Sequence, residues 1–224
     1  MPSPFSISDT HWINFAERCA HTLNRPLDDS ELTQFKLYAH HLLTWNEKFN
    51  LIGPAPPESI LIRHFLDSLY FAPLLPPSAK IADIGSGAGF PGVPLAIVFP
   101  QHRMHLIESI QKKAGFLSFI VAELGLHNKV KIFNQRAEQM PSKEINSYHV
   151  ILSRALSDIA QGATWAFKLL KPDGMYLTIK GPKVDQDLEK YYMNRIHLKY
   201  ARPQLHTILG PNEHHSILVK LQRI

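Results

Sequence analysis

The residues best suited to chemistry form a glycine-rich stretch, Asp83-Ile-Gly85-Ser-Gly87-Ala-Gly89, in the middle of the chain. It follows the short apolar run 81–84, which is typical of a buried strand, and it precedes an apolar segment that is typical of a helix. Glycine adopts backbone angles that other residues avoid, and it lets a ligand approach the main chain. Alternating glycines between a strand and a helix therefore predict a nucleotide-like ligand at the carboxyl edge of a sheet.

Two acidic side chains narrow the choice of ligand. A dinucleotide-binding loop reads G-x-G-x-x-G and holds a pyrophosphate, whereas this loop reads G-x-G-x-G and carries Asp83 two residues before its first glycine. A carboxylate at that point repels pyrophosphate and attracts a cationic amine or sulfonium. Glu108 ends the next predicted strand, where an acidic residue accepts hydrogen bonds from ribose hydroxyls. The pair favours S-adenosylmethionine over NAD, with a glycine-rich turn beside an unrelated carboxylate as the structural alternative.

The elements that must position these residues alternate between strand and helix after residue 80. Apolar runs predict strands at 81–84, 104–107, 130–133, 148–152 and 175–179. Helices are predicted at 91–99 and 110–124 and before residue 170. This alternation indicates an α/β fold with a doubly wound parallel sheet. The tail, at 205–208 and 216–221, predicts a hairpin at one edge of that sheet.

Residues 1–79 are predicted to form an N-terminal helical extension, and residues 80–224 the ligand-binding domain. Asp28 and the residues after it can cap a helix that runs to about Phe49. A second helix is predicted at 59–71. His64 and Asp67 lie three residues apart on this helix, which favours a polar pair that holds the extension against the sheet. Substrate contact is the alternative for the two side chains.

The charge is divided unevenly along the chain. Residues 1–79 carry a net charge of −3 and residues 80–224 a net charge of +8. A basic second part suits a phosphate-rich substrate, although an ordinary basic surface is an equal interpretation. Lys180 and Lys183 follow the fifth predicted strand, where either phosphate contact or a solvated loop is expected.

Other features exclude some classes of protein. Cys19 is the only cysteine, so neither an intramolecular disulfide nor a multi-cysteine zinc site can form. The histidines, including the pair His214-His215, lack the spacing of a metal site, and we expect no metal. The absence of a signal peptide pattern and of a long apolar run leads us to expect a soluble, cytoplasmic protein without a membrane partner.

Four motifs in order resemble one known family. They are Trp45-Asn46 with Asn50-Leu51, then RHFLDSL at 63–69, then the loop extended as DIGSGAGFPGVPLAI, then Ser153-Arg154-Ala155. Together they resemble the RsmG (GidB) family of bacterial methyltransferases, and the resemblance covers residues 30 to 180. The glycine loop alone indicates only a class I methyltransferase with a Rossmann-like fold. The FPG extension of the loop, together with HFLDSL and SRA in that order, makes the resemblance much more specific.

The resemblance implies a function and a set of site residues. Members of the family transfer a methyl group from S-adenosylmethionine to N7 of one guanine in small-subunit (16S) ribosomal RNA, so that RNA or the assembling small subunit is the expected partner. Cofactor contacts are implied for Gly85, Phe90, Ala137, Glu138 and Arg154. We add Asp83, Gly87, Gly89 and Glu108 from the loop analysis, and we expect Arg154 to be the catalytic residue. The chain departs from the family at His149, where an acidic residue is usual, and at Leu156, where phenylalanine is usual.

The expected reaction needs little from the protein beyond alignment. Guanine N7 has an in-plane lone pair and no proton, so no general base is required. No N/D-P-P-Y/F motif follows the fourth predicted strand, which argues against methylation of an exocyclic amine. The alternatives are a methyltransferase acting on a small molecule or protein, and a non-catalytic RNA-binding factor of ribosome assembly.

Overall fold

The N-terminal part of the chain is helical, as expected. The computed structural model describes residues 7–154, 156, 158–181, 183–209 and 215–224. Helix α1 spans Asp9–Leu23 and helix α2 spans Asp29–Phe49. Asp28 begins α2 with a capping box, in which its carboxylate accepts from the Glu31 amide while the Glu31 side chain accepts from the Asp28 amide. The second expected helix is a π-helical turn, Leu61–Leu66, that continues into the short helix α3, Asp67–Leu69.

Seven strands form one mixed sheet. In chain order they are β1 Lys80–Ile84, β2 Arg103–Ile107, β3 Val130–Phe133, β4 Tyr148–Arg154, β5 Leu170–Lys180, β6 Gln204–Leu209 and β7 His215–Gln222. Their order in the sheet is β3-β2-β1-β4-β5-β7-β6. The first five strands are parallel to one another, and β7 is antiparallel to both β5 and β6. The expected doubly wound sheet and its terminal hairpin are therefore both present.

Helices cover both faces of the sheet. They are α4 Gly92–Val98, α5 Gln111–Glu123, α6 Ile159–Leu169 and α7 Val184–Met193. The strand order reverses between β1 and β4, and ligands of open α/β sheets bind at the carboxyl edge beside such a reversal. In the described part of the chain, no helix has the length and apolar character needed to cross a membrane.

The helical extension packs directly on the sheet domain. Phe15, Phe35, Tyr38 and Phe65 are fully buried, and their rings contact one another at centroid distances of 5.0 to 6.0 Å. The cluster continues into the glycine loop, because the Tyr38 ring stacks on Phe90 at 5.5 Å. The extension and the loop therefore share one hydrophobic core, while the division of the chain at residue 79 stays a prediction.

Candidate functional site

The glycine loop joins β1 to α4 at the carboxyl edge of the sheet. The amides of Gly85 and Ser86 donate to the carbonyl of Ile107, at 2.8 and 3.2 Å, and so fasten the loop to the end of β2. Gly85, Gly87 and Gly89 have φ angles of 70°, 58° and 104°, a region that L side chains rarely adopt. The backbone conformation of the loop therefore requires glycine at these three positions.

The three glycines differ in what surrounds them. A Cβ atom on Gly89 would lie 2.5 Å from the Tyr38 hydroxyl, and one on Gly85 would lie 2.3 Å from Leu156 Cδ1. A Cβ atom on Gly87 would meet only the Gly85 carbonyl oxygen, at 3.8 Å. Gly89 is thus needed for internal packing, whereas the space beside Gly87 is open to a ligand.

Glu108 ties the loop to the segment after β2. One carboxylate oxygen accepts from the Gly87 amide at 2.9 Å, and the other accepts from the Ile110 amide at 2.7 Å. The side chain is buried. A carboxylate oxygen can accept more than one hydrogen bond, so Glu108 can hold the loop and still accept from a ribose hydroxyl. Its role toward a ribose stays a prediction.

A cavity of about 120 Å³ lies at the carboxyl ends of β1, β2 and β3. Gly85, Ala137 and Glu138 line it, so three of the expected cofactor residues come together there. Leu156, noted above as a departure from the family, lines it as well, and sequence reasoning did not single out the polar residues Ser109, Gln135 and Arg136, or Trp165, as lining residues. The signal for the three polar residues was available, because they lie within three residues of the ends of β2 and β3. Trp165 lies in α6 and carries no such signal.

Asp83 lies beneath the loop and is fully buried. Its Oδ2 accepts from the Gly92 amide at 3.0 Å, while Oδ1 has no hydrogen-bond partner within the described residues. Burial raises the pKa of this carboxyl to about 7, which the hydrogen bond from Gly92 only partly opposes. The side chain therefore fixes the start of α4 and leaves one buried acceptor oxygen without a partner within the described residues.

Arg154 lies at the end of β4, against the helical extension. Its Nη1 donates to the carbonyl of Arg63 at 2.7 Å, and its Nη2 donates to His64 Nδ1 at 2.6 Å. Its guanidinium also lies over the Phe90 ring, 5.0 Å from the centroid. The His64 ring also stacks on Phe90: the two ring centroids are 4.9 Å apart and the ring planes are nearly parallel. Arg154 is thus held on three sides by groups of fixed position.

Two ionisable side chains near Arg154, those of His64 and Asp67, have shifted pKa values. Burial, together with the charges of Arg154 and Arg63, lowers the pKa of His64 to about 3, so the ring is neutral and Nδ1 accepts. Burial raises the pKa of Asp67 to about 6, against the opposing effect of Arg154. His64 therefore forms a polar contact with Arg154, in addition to any role beside Asp67. Hydrogen bonds from Arg154 to the Arg63 carbonyl and to His64 join the extension to the sheet, and the pairing of His64 with Asp67 stays a prediction.

The expected site residues thus divide into two groups around the loop. Gly85, Ala137 and Glu138 line the cavity, with Gly87 and Glu108 hydrogen-bonded to each other beside it. Asp83, Phe90 and Arg154 lie toward the extension, where Phe90 is buried in an aromatic stack.

Other residues singled out in the sequence have local roles. Lys180 forms an ion pair with Asp187 at 3.2 Å, whereas Lys183 is exposed at the start of α7. His149 accepts from the Lys80 amide at the amino end of β4, away from the loop. Leu156 forms the cavity wall opposite Gly85. His214 and the side chain of His215 lie outside the described residues, among which no cluster of three or more potential metal ligands occurs.

Comparison with known proteins agrees with this geometry. The family model GidB, described as rRNA small subunit methyltransferase G, matches residues 31–216. A protein of Dichelobacter nodosus named ribosomal RNA small subunit methyltransferase G is 42% identical over 165 residues, which are 73% of this chain and 76% of that protein. A protein of the same name from Desulfitobacterium hafniense is 36% identical over 168 residues, which are 74% and 70% of the two chains.

Solved structures of methyltransferases share the fold at low sequence identity. A tRNA methyltransferase from Aquifex aeolicus is 15% identical, with a TM-score of 0.57 over 70% of this chain and 68% of that one. The structure of M. jannaschii TYW2 in complex with AdoMet is 16% identical, with a TM-score of 0.53 over 70% of this chain and 75% of that one. These matches support the class I methyltransferase fold. The family model and the relatives go further: the chain belongs to the GidB family, rRNA small subunit methyltransferase G.

Proposed function

We propose that this chain transfers the methyl group of S-adenosylmethionine to N7 of one guanine in small-subunit (16S) ribosomal RNA. The observation that carries the proposal is the match to the family over residues 31–216, which includes every element of the loop and its surroundings. Ribosomal RNA is also the substrate named for the relatives. We further propose that the partner is the RNA or the assembling small subunit, encountered in the cytoplasm.

The residues at the carboxyl edge fit S-adenosylmethionine. Gly87 leaves open space beside the main chain, and the cavity next to it is lined by Gly85, Ala137 and Glu138. Glu108 keeps acceptor capacity for ribose hydroxyls, and the unpartnered Oδ1 of Asp83 suits a cationic donor. We propose that these residues hold the cofactor, which supplies a methyl group activated by its sulfonium.

The protein's part in the reaction is to align and to exclude water. N7 of guanine carries a lone pair and no proton, so no side chain must act as a base. His64 agrees with this, because its Nδ1 already accepts from Arg154 and its pKa is about 3. Arg154 is the group that we propose to orient the reactants. Its planar fork is fixed by Arg63 and His64, and a guanidinium can donate from its remaining N–H groups to an acceptor such as guanine O6.

The alternatives raised by the sequence lack a supporting observation. A small-molecule or protein substrate is named for none of the ribosomal RNA methyltransferase relatives described above. A non-catalytic assembly factor does not need the set formed by the loop, Asp83 and Glu108. These residues are present, and Glu108 and Asp83 accept hydrogen bonds from the amides of Gly87 and Gly92.

The test is a search for one methylated base. Small-subunit RNA from cells with and without the protein is digested and analysed by mass spectrometry for 7-methylguanosine. In parallel, purified protein is given methyl-labelled S-adenosylmethionine with naked RNA, with an assembly intermediate or with the mature subunit. We expect one 7-methylguanosine to disappear from the deletion strain, and we expect the purified protein to restore it on one of the three substrates.

A variant separates methyl transfer from RNA binding. Gly87→Asp blocks the open space beside the loop and should restore no modification, although RNA should still bind. Retention of every 7-methylguanosine in the deletion strain would overturn the proposed substrate. Label on another atom of the base would overturn the N7 assignment.

A further inference from the structure

A second set of residues with binding chemistry lies far from the glycine loop, at 190–203. This segment, KYYMNRIHLKYARP, contains four lysine or arginine residues, three tyrosines and no acidic residue. It covers the end of α7, the 3-10 helix Arg195–Lys199 and the chain that leads into β6. Proteins that bind single-stranded nucleic acid stack its bases on aromatic rings and contact its phosphates with cationic side chains.

The tyrosines of the segment surround a pocket. Its volume is about 410 Å³, and its walls include Tyr191, Tyr192, His197, Tyr200 and Arg202. We call it the tyrosine pocket. The Tyr192 ring lies 5.5 Å from that of Tyr191 and 6.0 Å from that of His197. The rings of Tyr191, Tyr192 and His197 therefore lie side by side in the wall of the pocket.

The walls of the pocket are anchored to the fold. Tyr200 is buried, its hydroxyl donates to the Ala163 carbonyl in α6 at 2.8 Å, and it forms an isolated antiparallel bridge with Arg223. Tyr191 is buried as well, and its hydroxyl has no hydrogen-bond partner within the described residues. Tyr192, by contrast, is 49% exposed. A rigid back wall with one accessible ring is suited to stacking against a planar ligand, since little side-chain freedom is lost.

The surroundings of the pocket are cationic. Lys190, Arg195, Lys199 and Arg202 are all exposed, and none of them forms an ion pair with a carboxylate in the described part of the chain. Four exposed cations around aromatic rings complement a phosphate backbone whose bases are unpaired. The same charges disfavour a basic protein segment as the occupant.

We propose that the tyrosine pocket binds an unstacked base of a single-stranded RNA segment, with the surrounding cations contacting its phosphates. The choice of RNA among polyanions rests on the proposed function. Tyr200 and Arg223 lie near Gly174, at the amino-end half of β5, whereas the cofactor cavity is at the carboxyl edge. The six steps along the chain from Gly174 to Lys180 span roughly 20 Å at ~3.3 Å each. The pocket is therefore a second RNA contact, suited to a large folded substrate.

The experiment measures RNA binding without methyl transfer. A short fluorescent oligouridine is titrated with the full-length protein, and its anisotropy is followed at several salt concentrations. Tyr192→Ala removes the accessible ring, and Tyr192→Phe keeps it. Arg202→Glu reverses a charge at the pocket, whereas Lys48→Glu makes the same change on the exposed side of α2. Calorimetry with S-adenosylhomocysteine checks that all four variants bind the cofactor analogue like the unaltered protein.

The expected pattern is specific. Tyr192→Ala should weaken oligouridine binding by about five- to 150-fold, the loss of one base stack, and Tyr192→Phe by no more than about twofold. Arg202→Glu should weaken binding and flatten its salt dependence, while Lys48→Glu should do neither. Equal affinity of Tyr192→Ala and the unaltered protein would overturn the proposal, and so would equal effects of Arg202→Glu and Lys48→Glu.

The two proposals fail in different ways. If Tyr192→Ala loses oligouridine affinity but no 7-methylguanosine depends on the protein, the tyrosine pocket stands and the proposed methylation does not. If 7-methylguanosine forms while every pocket variant binds oligouridine normally, the methylation stands and the tyrosine pocket is rejected.

Discussion

Asp83→Asn tests the burial of charge beneath the glycine loop. Asp83 is fully buried, and burial raises its pKa from an ordinary 3.8 to about 7. The folded protein therefore holds this proton more tightly than the unfolded chain does, so the carboxyl favours folding at low pH. That contribution is lost as the pH rises from 3.8 through about 7. Asparagine keeps an acceptor for the Gly92 amide but has no charge to bury.

The size of the effect follows from the pKa. One pKa unit corresponds to about 1.36 kcal/mol, so ionising the buried carboxyl costs about 4 kcal/mol well above pH 7. About 3 kcal/mol of this ionisation cost is added between pH 5 and pH 8. The asparagine amide adds a cost of its own if its NH2 group lacks a partner, about 1–3 kcal/mol, but that cost does not depend on pH. The change with pH is therefore the diagnostic quantity.

The assay is urea unfolding of the unaltered protein and Asp83→Asn at pH 5 and pH 8, without cofactor. We expect the free energy of unfolding of Asp83→Asn, relative to the unaltered protein, to rise by about 3 kcal/mol between the two pH values. Asp173→Asn is the matched control, because Asp173 is exposed in a turn with φ of 59° that asparagine also adopts. A relative stability that is the same at both pH values would refute the buried-charge reasoning.

Four further changes test the site. Gly87→Asp should lose S-adenosylhomocysteine binding by calorimetry, because its side chain enters open space beside the loop and the φ of 58° at this position strains a residue other than glycine; normal affinity would reject that placement of the cofactor. Glu108→Ala should weaken the same binding by about 1–3 kcal/mol and lower the melting temperature, since the Gly87 and Ile110 amides lose their acceptor. Arg154→Ala should lower the free energy of unfolding by about 3 kcal/mol, from two charged hydrogen bonds at ~1.5 kcal/mol each, in urea titrations. Arg154→Lys should fold but lose most single-turnover methyl transfer, because a point charge cannot replace the planar fork, and nearly full activity would contradict this. With saturating cofactor, the rate of methyl transfer should not climb tenfold per pH unit near neutrality, since N7 has no proton to lose; such a climb would require a base.

The sheet was predictable because its strands are short, apolar and separated by recognisable breaks. Strands β1, β2 and β3 begin and end within one residue of the expected bounds. Strand β5 begins at Leu170 instead of residue 175, since the turn at Asp173 and Gly174 hid its first part. The order of strands and the antiparallel register of β7 depend on contacts between distant segments, which no local pattern contains.

Two helices were not delimited from the sequence. Helix α1 carries Trp12, Phe15 and Cys19 on its buried face, at spacings of three and four residues, so a signal existed in principle. Helix α7 is largely polar, with only Val184 and Tyr191 buried, and gives a much weaker signal. The π-helical turn at Leu61–Leu66 has no sequence signature at all, and it was expected as an ordinary helix.

In the candidate site, too, features that depend on neighbouring residues were predictable, whereas contacts between distant residues were not. The type and spacing of the glycines were enough to predict a ligand loop. The partners of Glu108 and Asp83 were not predictable, because each carboxylate accepts from a backbone amide whose direction depends on the folded loop. The contact between Arg154 and His64 joins residues 90 positions apart. Such contacts follow from the packing of the extension on the sheet.

This packing brings the helical extension into contact with the candidate site. Arg154 ends β4, but the groups that fix its fork are the Arg63 carbonyl and His64, both from the extension. His64 in turn lies against Phe90, which belongs to the glycine loop. Because a guanidinium is useful for orienting reactants only when its plane is fixed, the sheet alone cannot prepare Arg154 for that role. If Arg154 has the role that we propose, the extension forms a third wall of the candidate site, beside the loop and the end of β4.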